Sequence, residues 1–139
     1  MEFTWLSRWQ PQLLAILRIV VALLFLEHAT IKLFGFPPGG MPGQQPIASM
    51  LGAAAIIEAV TGVLVLLGLW TRLAAFVASG EMAVAYFMIH GSKGFYPAVN
   101  QGEAAILFCF VFLYLAASGP GAWSIDAARY PLADDGTRN

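Results

Sequence analysis

Four long runs of apolar residues, each broken by only a few polar positions, make up most of this chain. The first covers about 12–34 and stops at Gly35-Phe36-Pro37-Pro38-Gly39-Gly40, a stretch no helix crosses. The second covers about 46–70, the third about 71–90 and the fourth about 101–118, where Gly119-Pro120-Gly121 ends it. A bilayer core about 30 Å thick takes roughly 20 residues of helix, within a range of about 17 to 25. All four runs meet that length. The second and third adjoin with almost no linker, which predicts a tight antiparallel hairpin. Beyond the fourth run, Ser124 is placed to cap a short interfacial helix over about 125–130, with Asp126 favourable at its positive end. The expected fold is all-α: one transmembrane domain over 1–139, an integral membrane four-helix antiparallel bundle. Its one Gly/Pro-rich connection covers 35–46.

Composition supports this pattern. Of 139 residues, 7 are Lys or Arg and 8 are Asp or Glu, so 11% are charged, where a soluble domain has roughly 25%. The hydrophobic fraction is 59% and the mean hydropathy +0.73. A domain of this size keeps about a third of its unfolded-chain surface exposed, so its solvent must be membrane lipid. A secreted or cytosolic globule, a disordered linker and a collagen-like fibre are excluded, and the net charge of -1 argues against nucleic acid as a partner. Cys109 is the single cysteine, which rules out an intramolecular disulfide, a CxxC redox pair and a multi-cysteine metal site. Arg8 before the apolar stretch 13–26 fits a signal peptide, but Glu27-His28-Ala29-Thr30-Ile31-Lys32 makes a poor cleavage site, so the segment is read as a retained span. Arg8, Arg72, Arg129 and Arg138 fall on one side and Lys32 and Lys93 on the other, which puts both termini in the cytoplasm of a bacterial inner membrane. Trp5, Trp9, Trp70 and Trp123 mark the cytoplasmic boundary, and Phe95 and Tyr96 the opposite one.

Ionisable residues inside spans cost about 2.5–3.5 kcal/mol at mid-membrane and usually face the bundle interior. Arg18, Glu27, His28, Lys32, Glu58 and Glu81 are in this position. From the helical rise, Arg18 lies roughly 9 Å, Glu58 roughly 18 Å and Glu81 roughly 15 Å from the cytoplasmic edge. Arg18 is therefore expected to reach Glu58, Glu81 or both in a buried charge cluster. The plain role is an ion pair that fixes helix register; the functional one is a proton or ligand site. At about 100° per residue, Arg18, His28 and Lys32 share a face and Glu27 points away. Glu27 must then meet a second helix, snorkel, or contact a partner protein. In the second span Ala54, Glu58 and Gly62 share one face, and the small residues suggest close inward packing.

Toward the external end stand His28, Lys32, His90, Asn100 and Glu103. Interfacial snorkelling and loop capping account for them plainly. Alternatively they line a polar pocket suited to a quinone headgroup, whose carbonyls accept hydrogen bonds from His or Lys. As a lesser alternative, His28 and His90 could be axial ligands of a b-type haem. No other metal site is expected.

In order and spacing the chain resembles the DoxX family of small membrane proteins. The resemblance rests on Leu17-Arg18, His28 with Lys32-Leu33, Glu58 and Gly62, Leu66, Gly68-Leu69, Thr71-Arg72, Gly102-Glu103, and the closing Gly119-Pro120-Gly121-Ala122-Trp123-Ser124-Ile125-Asp126. It departs from that pattern at Ala29, where Gly is common, and at Glu27, an unusual charge. The resemblance implies four antiparallel spans and an association with membrane redox systems, because the family includes a small subunit of a thiosulfate:quinone oxidoreductase and proteins linked to oxidative-stress complexes. The expected role is an accessory subunit of a membrane oxidoreductase or larger respiratory complex, more a non-catalytic partner than an enzyme by itself. The alternatives are a small proton-coupled transporter using Glu58 and Glu81, and a structural adaptor docking through Glu27 and the connection 35–46.

Overall fold

In the computed structural model, which describes residues 3–130, every regular element is helical. Glu2, Asp134, Asp135 and Arg138, four of the charges near the chain ends, lie outside the described residues. Helix α1 is a single turn, Thr4–Ser7; α2 covers Gln10–Phe34, α3 Met50–Leu67 and α4 Thr71–Ala85. The last passes directly into a π-turn, Tyr86–His90, and a 3-10 turn, Gly91–Lys93. Three more helices follow: α5 Pro97–Asn100, α6 Glu103–Ser118 and α7 Ile125–Arg129. Helix α2, helix α3 and the continuous stretch Thr71–Lys93 are long and apolar enough to cross a membrane. At 16 residues, α6 is equally apolar but shorter.

Local chemistry sets these boundaries. Pro11 stands in the first turn of α2, where its missing N–H is no loss. Gly35, left-handed at φ 67°, ends that helix. Helix α3 starts four residues later than the apolar pattern predicts, because the Ser49 side chain accepts the Gly52 amide at 3.0 Å while the Ser49 amide closes a turn onto the Pro46 carbonyl. The α3–α4 hairpin is as tight as expected, turning through Gly68 and Trp70, both left-handed.

The α2–α3 and α4–α6 pairs pack most extensively, and α3 meets α4 across the hairpin. Val21 and Phe25 of α2, Val65 of α3, Met82 of α4 and Phe112 and Leu115 of α6 form the core. Ala74, Ala75 and Ala78 let α4 approach its neighbours closely, and Ser79 Oγ donates to the Cys109 carbonyl of α6 at 2.8 Å. On α3 the inward residues are Ala55, Glu58, Gly62 and Val65, so the buried stripe passes one position round from the expected Ala54. Large apolar side chains such as Leu23, Phe76 and Leu107 cover the outside, as a lipid-facing belt requires.

The chain alternates direction through α2, α3, α4 and α6, so the molecule has two ends. One, the arginine end, holds Arg18, Arg72 and α7; the other, the lysine end, holds Lys32, His90 and α5.

Candidate functional site

At the arginine end, charges close helix termini. Fully buried Arg18 donates from Nε to the Pro120 carbonyl (2.9 Å), from Nη1 to those of Val65 (2.8 Å) and Leu66 (2.5 Å), and from Nη2 to those of Trp123 (2.8 Å) and Ala122 (3.4 Å). Two of these carbonyls belong to the last turn of α3, where main-chain partners run short; that of Val65 also accepts the Gly68 amide at 3.1 Å. Arg72 does the same for α6, donating to the carbonyls of Ala116, Ala117 and Ser118. Asp126 serves a helix start: its carboxylate accepts the Trp70 amide at 3.0 Å and the Thr71 amide and hydroxyl at 2.9 Å each. Burial pushes the Asp126 carboxyl up, but the amide and hydroxyl of Thr71, the Trp70 amide and the nearby Arg129 outweigh it and hold it below the usual carboxylate range.

Two expectations change here. Arg18 does not join Glu58 or Glu81. In α2 each Cα–Cβ bond tilts toward the helix N-terminus, so the side chain leans away from both carboxylates and into five main-chain acceptors. Asp126 stands at the start of α7 as expected, but its carboxylate caps α4; the cap of α7 is Ser124, whose Oγ accepts the Ala127 amide at 3.0 Å.

Deeper toward the lysine end, Lys32 Nζ donates to Glu58 Oε1 in a buried ion pair, with side chains 11% and 2% exposed. Glu58 Oε2 and both carboxyl oxygens of Glu81 are buried without a hydrogen-bond partner. Glu81 of α4 lies within electrostatic reach of Lys32 and Glu58, and so does His28 of α2. The His28 ring meets Phe108 edge-on at 5.7 Å. The connection after α2 folds back over this end: the Gln45 amide donates to the Lys32 carbonyl at 2.7 Å and Gln44 Nε2 to that of Leu33 at 3.2 Å. Three helices thus bring together one ammonium, two carboxyl groups and an imidazole.

The expected external pocket of His28, Lys32, His90, Asn100 and Glu103 does not form as one site. Lys32 and His28 belong to the interior group, because Lys32 leans back into the bundle. His90 Nδ1 shares a hydrogen bond with the Asn100 carbonyl at 3.0 Å, and its ring stacks on Tyr86 at 6.5 Å. Buried Asn100 donates to the Tyr86 hydroxyl (3.2 Å) and the Gly94 carbonyl (2.9 Å) and accepts the Gly102 amide (2.8 Å), tying the π-turn to α5. Glu103 is exposed in the first turn of α6. The two histidines considered as haem ligands have separate sets of neighbours. Among the described residues no three His, Cys, Asp or Glu side chains group to hold a metal ion. A groove of about 1000 Å³ lies at the opposite end beside Trp70, Leu73, Pro120 and Tyr130; the charged groups on its wall, Arg72 and Asp126, are those already capping α6 and α4.

The model of the DoxX family matches residues 13–91, the stretch that carries Arg18, Lys32, Glu58 and Glu81. The chain belongs to the DoxX family. This DoxX protein is 46% identical over 125 residues to an uncharacterized protein of Haemophilus influenzae, covering 87% of this chain and 93% of that one. It is 30% identical over 135 residues to an uncharacterized membrane protein of Mycobacterium tuberculosis, covering 84% and 80% respectively. No solved structure matches it. As a DoxX membrane protein it keeps its whole interior charge group within the matched segment, while α6 and α7 lie beyond it.

The sequence pattern singled out every member of the interior group but joined the wrong pair. Helix polarity was the available signal. Lys32 and Glu58 stand on antiparallel helices, so each side chain leans toward the other.

Proposed function

We propose that this DoxX protein is a multi-pass subunit of a bacterial inner membrane, with α6 as its fourth span and both termini in the cytoplasm. It serves a larger oxidoreductase or respiratory complex as an accessory subunit, and its own task is to exchange a proton at Glu81. The observation that carries this is the set of buried, unpartnered carboxyl oxygens, Glu58 Oε2 and both of Glu81, beside the Lys32–Glu58 pair. An unsatisfied buried polar group costs about 1–3 kcal/mol, and such departures concentrate at functional sites. Lys32 balances one carboxylate, and a single proton balances the other.

These residues fit a quinone headgroup. Lys32 and His28 carry donors for its carbonyls, and the free carboxyl oxygens accept from the hydroxyls of its reduced form. A quinone held there would supply the redox chemistry. Lys32 fixes Glu58, Glu81 takes up or releases the proton, and the folded-back connection shields the Lys32 end from water. Native membranes carrying Glu81→Gln should lose quinone-dependent electron transfer by at least about tenfold, roughly 1.4 kcal/mol in the barrier, while Ser92→Ala leaves the rate unchanged. A particle purified in mild detergent without quinone or redox partner, together with an unaffected rate, overturns the proposal.

One observation favours a second reading, a small proton-coupled transporter. Arg18 is fully engaged by main-chain carbonyls, so it does not pin the two carboxylates in their ionised form. Substrate-driven proton flux in liposomes that disappears with Glu58→Gln would select transport over the accessory role.

A further inference from the structure

Helix α2 has two faces of heptad spacing. Ala15, Arg18, Ala22, Phe25, Ala29 and Lys32 are buried. On the opposite side Leu13, Ile16, Val20 and Leu23 are 45–53% exposed, followed by exposed Glu27, half-buried Thr30 and exposed Phe34. An outward face that met only lipid would be apolar throughout, yet this one carries a carboxylate seven residues, about 10 Å, inside the helix end. Glu27 cannot easily snorkel to the near surface, because its Cα–Cβ bond tilts toward the helix N-terminus and so deeper into the membrane. Thr30 gives it no relief: its hydroxyl donates to the Glu27 main-chain carbonyl at 3.0 Å.

We infer that this face of α2 docks a transmembrane helix of another protein, one that presents a Lys or Arg at the level of Glu27. The partner's chemistry follows from charge complementarity along an apolar seam. A single polar position in such a seam fixes register and choice of partner. A second copy of this chain does not supply the counter-charge: Arg18 and Lys32 are buried and engaged, Arg72 is held at the opposite end by carbonyls of α6, Lys93 stands at the last residue of its span and not at the level of Glu27, and a parallel symmetric pair would set Glu27 against Glu27. The inference rests on the accessory-subunit reading and says how that subunit attaches.

The test places a photo-crosslinking amino acid at Leu23 of the full chain in native membranes and identifies the crosslinked peptide by mass spectrometry. The expected product is a transmembrane segment of a different protein, with a Lys or Arg within one turn of the crosslink. Glu27→Gln and Glu27→Leu should each lower its yield at least about tenfold, roughly 1.4 kcal/mol of binding. Both purified variants should melt like the parent, because Glu27 is exposed. Capture of another protein's helix with unchanged yield in both variants, or of a segment without Lys or Arg, overturns this inference and leaves the accessory-subunit reading standing. A crosslink only to a second copy, or only to lipid, likewise overturns this inference, while the accessory-subunit reading falls only to a particle without redox partner and an unaffected electron-transfer rate.

Discussion

Lys32 lies two residues from the end of α2 and Glu58 eight residues into α3, yet they meet because side chains on antiparallel helices lean toward each other from these positions. Depth along the membrane normal was legible in the sequence and pointed to Arg18 as the partner of Glu58. The direction of lean, and the pull of main-chain carbonyls at the end of α3 and over 120–123 on a guanidinium, were not in that arithmetic. Lys32→Met should therefore leave Glu58 buried and unpaired and destabilise the protein by about 3–5 kcal/mol, seen as a lowered melting temperature in detergent. The double variant Lys32→Met with Glu58→Leu should recover most of that loss, because a well-packed apolar pair can replace a buried ion pair at little cost. Asp126 provides a pH test outside the spans. Its folded-state pKa is depressed, so its contribution is fully present above the unfolded value of about 3.9 and is lost as pH falls through the folded value. The destabilisation by Asp126→Asn, followed by melting across pH, should be largest at neutral pH and shrink below about pH 4.

At the level of elements, the spans were readable because apolar runs bounded by Gly and Pro leave few choices. The late start of α3 and the π-turn after α4 were not, since each depends on hydrogen bonds: the Ser49 cap, and the Asn100 network that gathers Tyr86, Gly94 and Gly102. The α3–α4 hairpin depends on Gly68, whose φ of 66° suits glycine and where an added Cβ would collide with Ser124. Gly68→Ala should destabilise the protein by more than about 1 kcal/mol, measured by detergent melting. Arg18→Met removes all five main-chain bonds but leaves no carboxylate unpaired. Amide hydrogen exchange over 119–130 should accelerate at least about tenfold in that variant, because local opening there becomes easier, while the amides of Val21 and Phe25 keep their protection.

For the whole molecule, class and solvent followed directly from a chain with 11% charged residues and an apolar exterior. Function was less legible, because the same few charges do three different jobs that composition does not distinguish. Arg18, Arg72 and Asp126 close helix ends. Lys32, Glu58 and Glu81 occupy the interior. Glu27 faces outward. The first of these jobs also bears on how the chain is made. Arg18 and Pro120 are 102 positions apart, and synthesis proceeds at about 5–20 residues per second. For roughly 5–20 s, then, the chain holds the guanidinium of α2 while its acceptors at 120–123 do not yet exist. Asp126, the cap of α4, arrives later still. A nascent chain halted before Gly119 would hold an arginine with only the Val65 and Leu66 carbonyls to bind and a hairpin without its cap, an incomplete state that a membrane protease can tell from the finished protein.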